Sequence, residues 1–68
     1  MVNIILLKKK IADSEKKIEE IADLMGIDKS TLYRKLSNGT REFTVSEAKK
    51  LKDILSLSNQ ESISIFFN

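Results

Sequence analysis

Apolar residues along this chain recur mostly at helical spacing. The clearest pattern lies in residues 18–25, whose apolar positions follow the i, i+3, i+4, i+7 order of one helical face: Ile18, Ile21, Ala22 and Met25. An earlier helix is predicted because Leu7 and Ile11 are one turn apart and Asn3 can cap its start. The pattern therefore indicates amphipathic helices from the beginning of the chain.

Polar residues and a glycine mark the boundaries of these helices. Ser14 is the expected break between the first and second helices. Gly26 follows the second stripe directly and suits a left-handed residue at a helix C-terminus. Ile27 can then return to the core, and Asp28 can cap a third helix. The sequence here predicts a helix, a tight turn and another helix.

Two later helices are predicted from S/T-x-x-E capping boxes, formed by Thr44 with Glu47 and by Ser58 with Glu61. The fourth helix has an apolar stripe that is expected to be buried: Val45, Ala48, Leu51 and Leu55. The last segment, "SISIFFN", alternates polar and apolar residues as a strand does, but the Ser58 box favours a short terminal helix. A strand there would let two chains pair edge to edge.

These elements together predict an all-α fold, a compact five-helix bundle in which residues 1–68 form one domain. The chain has no proline and two glycines, which also argues against a fold rich in strands and turns. A domain this short buries only about 60% of the surface that its unfolded chain exposes. Its core is therefore small, and an extended active-site cleft is not expected.

The composition lacks most of the side chains that enzymes use for catalysis. The chain has no cysteine and no histidine, so it lacks a thiol nucleophile, an imidazole base and soft metal ligands. No catalytic residues, enzyme activity, cofactor, metal or small-molecule substrate are predicted. The longest apolar run, from Ile4 to Leu7, is far shorter than the roughly 18 residues of a membrane span. A soluble, cytoplasmic protein that does not bind membranes is expected.

Positive charge is concentrated in one segment. The net charge of +2 is too small to indicate a nucleic-acid partner by itself. Residues 28–41, however, contain four cations and one anion, whereas the polar face of the second helix is acidic, with Glu19, Glu20 and Asp23. The lysines of the fourth helix are expected to form a solvated face: Lys49, Lys50 and Lys52.

A helix, a glycine-containing turn and a second helix form the arrangement of a DNA-binding helix-turn-helix. The stretch "IEEIADLMGIDKSTLYRKLSNGTREFT", followed by "SEAKKLKDIL", resembles the phage repressor and Cro (Xre-type) family, which has the lambda repressor-like fold. Ala22 matches the small residue at which the two helices approach closely, and Gly26 matches the turn. Ile27 and Leu32 match the buried residues that hold the third helix.

The resemblance implies a DNA-binding surface on the third helix. Four residues match the positions that reach base edges: Lys29, Ser30, Tyr33 and Arg34. Others are assigned to phosphate contacts: Lys17, Ser37, Asn38, Thr40 and Arg41. The helical period agrees, because Leu32 and Leu36 facing inward turn Ser30, Arg34 and Ser37 outward. Arginine can bond guanine in a bidentate manner, and a tyrosine ring can pack on a thymine methyl.

The chain departs from the family pattern at three positions. Ile18 stands where the family often has a glutamine that bonds phosphate, and Lys17 stands where a Ser or Thr cap is common. Lys35 occupies a position that is usually apolar, with Leu36 next to it taking over the packing. The phosphate contact of the missing glutamine is therefore either absent or replaced by Lys17 or by the amides of the second helix.

The resulting hypothesis is a sequence-specific, double-stranded DNA-binding transcriptional regulator of the repressor type, in a bacterial or phage-infected cell. A domain this small makes few contacts, so a homodimer on a two-fold symmetric operator is expected, with half-sites about 34 Å apart. The predicted dimer surface contains Ile65, Phe66 and Phe67. In the alternative interpretation, Phe66 and either Ile63 or Phe67 close the core of a single chain.

A second hypothesis retains the helical fold without specific DNA recognition. The acidic second helix would then contact another protein, as an antirepressor or an antitoxin-like partner does. RNA binding is weakly supported, because Tyr33 alone offers little surface on which bases can stack.

Overall fold

Helices form most of the part of the chain that the computed structural model describes, residues 2–38 and 43–67. There are five helices in this part: α1 (Ile4–Asp13), α2 (Ile18–Met25), α3 (Lys29–Asn38), α4 (Val45–Ile54) and α5 (Asn59–Phe66). No strand occurs in these two ranges. The all-α, five-helix prediction is confirmed, and the C-terminal segment is a helix rather than a strand.

Local hydrogen bonds set where the first helix begins and ends, as predicted. The Asn3 side chain accepts a hydrogen bond from the Leu6 N–H at 3.1 Å. At the other end, the Ser14 hydroxyl donates to the Ile11 carbonyl at 2.6 Å, and Glu15 has a positive φ of 61°. The side chain of Ser14 also accepts from the Lys16 N–H at 3.2 Å, which stabilises the turn into α2.

Both capping boxes form. At the start of α4, the Thr44 hydroxyl accepts from the Glu47 N–H at 3.1 Å, and the Glu47 carboxylate accepts from the Thr44 N–H at 2.8 Å. The equivalent distances at α5 are 3.0 Å and 2.9 Å for Ser58 and Glu61. Each box satisfies two helix N–H groups that have no partner within the helix.

The core lies between α2, α4 and α5, with α3 packed on α2 and α1 packed on α5. Among the described residues it contains twelve buried apolar side chains: Leu7, Ile11, Ile21, Ala22, Met25, Leu32, Leu36, Ala48, Leu51, Leu57, Ile65 and Phe66. Phe43 meets Phe66 edge-to-face, with ring centroids 6.1 Å apart. The two ends of the chain are adjacent, because the Asn3 N–H donates to the Ile65 carbonyl at 2.7 Å.

The predicted apolar stripe of α4 is wrong at its first residue. Val45 is 62% exposed, because it is the first residue of α4 and lies at the edge of the bundle. Ala48 and Leu51 are buried as predicted, whereas Leu55 follows the helix and is half-buried. Leu57, beyond the left-handed Ser56, supplies the further buried residue that the stripe did not identify.

None of the helices in residues 2–38 and 43–67 combines the length and the apolar character that crossing a membrane requires.

Candidate nucleic-acid interface

The turn between α2 and α3 has the predicted left-handed glycine. Gly26 has φ 75° and ψ 28°, and its N–H donates to the Asp23 carbonyl at 3.1 Å. The Ile27 N–H donates to the Ala22 carbonyl at 3.0 Å, so two carbonyls at the end of α2 are satisfied within the turn. Ala22 itself is buried where α2 and α3 pack together.

A lysine from α4 completes this helix end. The Lys50 ammonium donates to the Met25 carbonyl at 3.1 Å, across twenty-five positions of sequence. A cation at a helix C-terminus also interacts favourably with the helix dipole. Lys50 is therefore not part of a merely solvated face, and it ties α4 to the turn that orients α3.

Asp28 caps α3, as predicted. Its carboxylate accepts from the Ser30 N–H at 3.0 Å and also from the Ser30 hydroxyl. These two bonds lower the pKa of the Asp28 carboxyl below its usual value, the hydroxyl bond being the stronger cause. The carboxylate is thus held ionised at the helix N-terminus, where negative charge is favourable.

α3 is anchored by one face and leaves the other free. Leu32 is fully buried and Leu36 is 4% exposed, so these two side chains fix the rotation of the helix. The four side chains assigned to base recognition all lie on the exposed surface: Lys29, Ser30, Tyr33 and Arg34. Tyr33 is 52% exposed, so much of its ring is available to contact a partner.

Three of these exposed side chains already have partners within the chain, the first being Ser30, whose hydroxyl donates to Asp28. The Lys29 ammonium lies 3.5 Å from the Glu19 carboxylate of α2, and both side chains are about 60% exposed. The Arg34 guanidinium donates to the Thr31 hydroxyl at 3.4 Å. Exposed contacts of this kind contribute little to stability, so phosphate or a base edge can replace them at small cost.

Lys35 lies on the opposite side of α3, inside the molecule. It is 8% exposed, its ammonium lies 3.2 Å from the Glu47 carboxylate, and it is 5.4 Å from the centre of the Phe43 ring. Lys35 is thus accommodated at a buried position because its aliphatic stem is packed and its charge is paired. It joins α3 to the start of α4.

Lys17 lies at the start of α2 and differs from a usual cap. Its backbone is extended, and its side chain makes no capping hydrogen bond to α2. The first N–H groups of α2 consequently receive no side-chain acceptor from this position. A helix N-terminus with free N–H groups can bind a phosphate.

Of the other residues assigned to phosphate contacts, some lie within the described part of the chain and some lie outside it. Ser37 is exposed on α3, and its hydroxyl donates to the Arg34 carbonyl at 3.4 Å. Thr40 and Arg41 lie outside the described residues, and so does the side chain of Asn38.

Of the three residues assigned to dimerisation, only Phe67 has surface available to a second chain. Phe67 is 66% exposed, whereas Ile65 is fully buried and Phe66 is 9% exposed. The last two pack inside the core of one chain, because α5 turns them toward α1 and α4. Ile63, which the alternative placed in the core, is 57% exposed.

Acidic side chains in residues 2–38 and 43–67 form no group of three or more that could hold a metal ion.

Comparisons of this chain with protein-family models, curated proteins and solved structures find no match.

Proposed function

We propose that this protein binds double-stranded DNA sequence-specifically and regulates transcription in the manner of a Cro-type repressor, with α3 in the major groove. The observation that carries the proposal is the exposed face of α3, which presents Lys29, Ser30, Tyr33 and Arg34. An α-helix with its side chains is about 10–12 Å wide, close to the roughly 12 Å width of the major groove.

Each of these side chains offers a different chemistry to base edges. Arg34 can donate two hydrogen bonds to guanine, and the ring of Tyr33 can contact a thymine methyl. Ser30 gives its proton to Asp28, so its oxygen is left as an acceptor for the amino group of adenine or cytosine. Lys29 adds a mobile donor at the beginning of the helix.

Phosphate contacts would supply most of the affinity and fix the position of α3. The open N-terminus of α2 and the adjacent Lys17 support one such contact, because they present N–H groups and a cation without a capping acceptor. Ser37 lies farther along α3 and supports a second contact.

The dimensions of the chain support the proposal that two copies bind a two-fold operator. Its longest extent is 27 Å, shorter than the roughly 34 Å between half-sites one helical turn apart. One chain therefore covers one half-site. The exposed apolar side chains of Ile63 on α5 and Phe67, the residue that follows α5, support a small contact between the two copies.

Replacement of Arg34 by alanine tests the proposal. The parent, Arg34→Ala and Lys9→Ala are each used to select bound sequences from random duplex DNA at two salt concentrations. We expect Arg34→Ala to lose about 1–3 kcal/mol of discrimination at one base pair. Lys9, an exposed cation on α1, provides the control, and its removal should leave the preferred sequence unchanged.

If Arg34→Ala retains every sequence preference of the parent, Arg34 does not read a base. If the parent binds all duplexes equally or none at all, the proposed function is wrong. The second hypothesis, contact with another protein through α2, then gains support, because Glu20, Asp23 and Leu24 are exposed together on that helix.

A further inference from the structure

A groove between α4 and α5 is the second surface with distinctive chemistry. It has a cavity of about 110 Å³ lined mainly by apolar side chains, namely Val45, Ala48, Phe66 and Phe67. Val45 and Phe67 are 62% and 66% exposed, although both are large and apolar. Exposed apolar surface that adjoins polar residues is typical of a contact site.

The groove is also lined by two lysines and by one buried hydroxyl. Lys49 and Lys52 of α4 are part of its lining, and no carboxylate is. Neither lysine has an ion pair or hydrogen bond in residues 2–38 and 43–67, unlike Lys50 between them. Ser62 lines the groove as well, and its buried hydroxyl has no hydrogen-bond partner in the same described ranges.

The two lysines beside the apolar lining determine which kind of partner the groove can bind. Two copies of the groove facing each other across a two-fold axis would bring lysine against lysine, which is repulsive. The groove instead fits a helix face that carries two carboxylates beside an apolar side chain. Such a face would pair both ammonium groups and fill the apolar cavity.

The outer face of α2 has this composition. Glu20, Asp23 and Leu24 are all exposed, with Leu24 at 55%. Positions i, i+3 and i+4 lie on one side of a helix, so the three side chains are neighbours. Neither carboxylate has an ionic partner among the described residues.

We propose that the α4/α5 groove of one chain receives the outer face of α2 from a second copy, in a head-to-tail contact. Leu24 enters the cavity between α4 and α5, and Glu20 and Asp23 pair with Lys49 and Lys52. The two carboxylates and the two ammonium groups are each three residues apart on a helix, so their spacings match at about 5–6 Å.

The size of the cavity suits this side chain. A dry cavity of roughly 150 Å³ lined by aliphatic and aromatic residues accommodates a benzene ring. At about 110 Å³, the groove between α4 and α5 has room for one branched aliphatic side chain.

Because the contact joins two different faces, every chain can bind one neighbour on each side, and the assembly does not close as a dimer. The contact is small compared with the roughly 1,200 Å² of a stable interface, so association is weak and reversible. Neither face includes the exposed side chains of α3. The inference is thus independent of base recognition by α3 and leaves that face free. It shares Phe67 with the proposed contact between two copies on DNA, so a chain makes only one of these contacts through Phe67 at a time.

Charge reversal in the full chain tests the contact. One variant carries Glu20→Lys and Asp23→Lys, and another carries Lys49→Glu and Lys52→Glu. Association of each is followed by sedimentation and by the concentration dependence of the Leu24 and Ala48 methyl resonances, up to millimolar protein. We expect each variant alone to associate at least tenfold more weakly than the parent. Mixing the two should restore association, because each then offers a complementary face to the other.

Two controls separate this contact from net charge and from misfolding. The first control carries Lys8→Glu and Lys9→Glu, at exposed positions of α1. It changes the net charge by the same amount as Lys49→Glu with Lys52→Glu. It should not weaken association as the Lys49→Glu, Lys52→Glu variant does. Leu24→Ser leaves every charge in place and should weaken association. Helical circular dichroism confirms that each variant is folded.

A monomeric parent throughout this concentration range overturns the proposal. It is also overturned if the variant that carries Lys49→Glu and Lys52→Glu associates as strongly as the parent or more strongly. That result indicates a two-fold contact of like faces. Failure of the two reversed variants to restore association on mixing contradicts the pairing of these particular residues.

Discussion

At the residue scale, the charged side chains divide into those used inside the molecule and those left at the surface. Lys35 belongs to the first group, with its ammonium between the Glu47 carboxylate and the Phe43 ring. Lys29 belongs to the second group, because its pairing with Glu19 is exposed to solvent. Only cations of the second group can contact a binding partner without disrupting the core.

Removal of Lys35 is expected to destabilise the fold. The side chains of Lys35 and Glu47 are 10% and 15% exposed, so Lys35→Ala leaves a largely buried carboxylate without its cation. We expect a loss of about 3 kcal/mol in the free energy of unfolding, measured with urea. Lys35→Met retains the packed stem and should lose less. A loss below about 0.5 kcal/mol would mean that the pair is solvated as surface pairs are.

Glu61 predicts an acid-dependent loss of stability. Its hydrogen bond with Lys10, together with the Ser58 N–H, lowers the pKa of the Glu61 carboxyl from 4.5 to about 2. The folded state thus binds this proton more weakly than the unfolded state. The stabilisation is complete above pH 4.5 and is lost as the pH falls toward 2.

Glu61→Gln measures that contribution, because glutamine can still complete the capping box but cannot ionise. The difference in unfolding free energy between the parent and this variant should be constant near neutral pH and should shrink below pH 4.5. A difference that does not change across this interval would contradict the role of the carboxylate charge.

At the element scale, the direction of α3 depends on the end of α2. The left-handed conformation of Gly26 turns the chain, and the hydrogen bond from Ile27 to the Ala22 carbonyl closes the turn. Lys50 holds the same helix end from α4. The orientation of the exposed face of α3 is therefore set by contacts that lie outside α3.

Gly26→Ala tests the turn without a steric clash. A Cβ placed on Gly26 would meet no atom within 4 Å, so only the positive φ of 75° opposes the substitution. We expect a loss of about 1 kcal/mol in unfolding free energy. Gly26→Asn should lose less, since asparagine adopts the left-handed region more readily. Equal stability of the alanine variant and the parent would show that the turn can relax to a negative φ.

At the scale of the whole molecule, the two ends of the chain close a single core. The Asn3 N–H bonds the Ile65 carbonyl, and Leu7 and Ile65 are both fully buried. A domain of this size has a total stability of only about 3–10 kcal/mol, at roughly 0.05–0.15 kcal/mol per residue. Loss of one core side chain is therefore expected to destabilise the whole domain.

Leu7→Ala should lower the unfolding free energy by about 2–5 kcal/mol. Because the core is shared, α3 should melt together with α1, although Leu7 is far from α3 in sequence. Thermal unfolding followed by NMR at Ala12 in α1 and at Tyr33 in α3 checks this expectation. Ile5→Ala is the control, since Ile5 is 84% exposed. This substitution should lower the unfolding free energy only slightly. Separate transitions for the two helices would contradict a single cooperative unit.

Residues whose role depends on near neighbours were predictable from the sequence. Asn3, Gly26, Asp28 and both capping boxes act within three to five positions along the chain, and all were confirmed. Lys35 and Lys50 were not predictable, because their partners lie 12 and 25 positions away. A sequence pattern identifies a lysine as polar, but it does not show which carbonyl or carboxylate will come within its reach.

The sequence by itself therefore determined where α1, α3, α4 and α5 begin, where α1 and α2 end, and which side of α3 Leu32 and Leu36 turn inward, because these depend on local hydrogen bonds and on the helical period. Only the tertiary structure decided that Val45 is exposed, that Ile65 and Phe66 are buried, and that Lys35 is enclosed. Burial depends on which elements meet in space, and the relative placement of helices is set by packing across the whole chain rather than by any one segment.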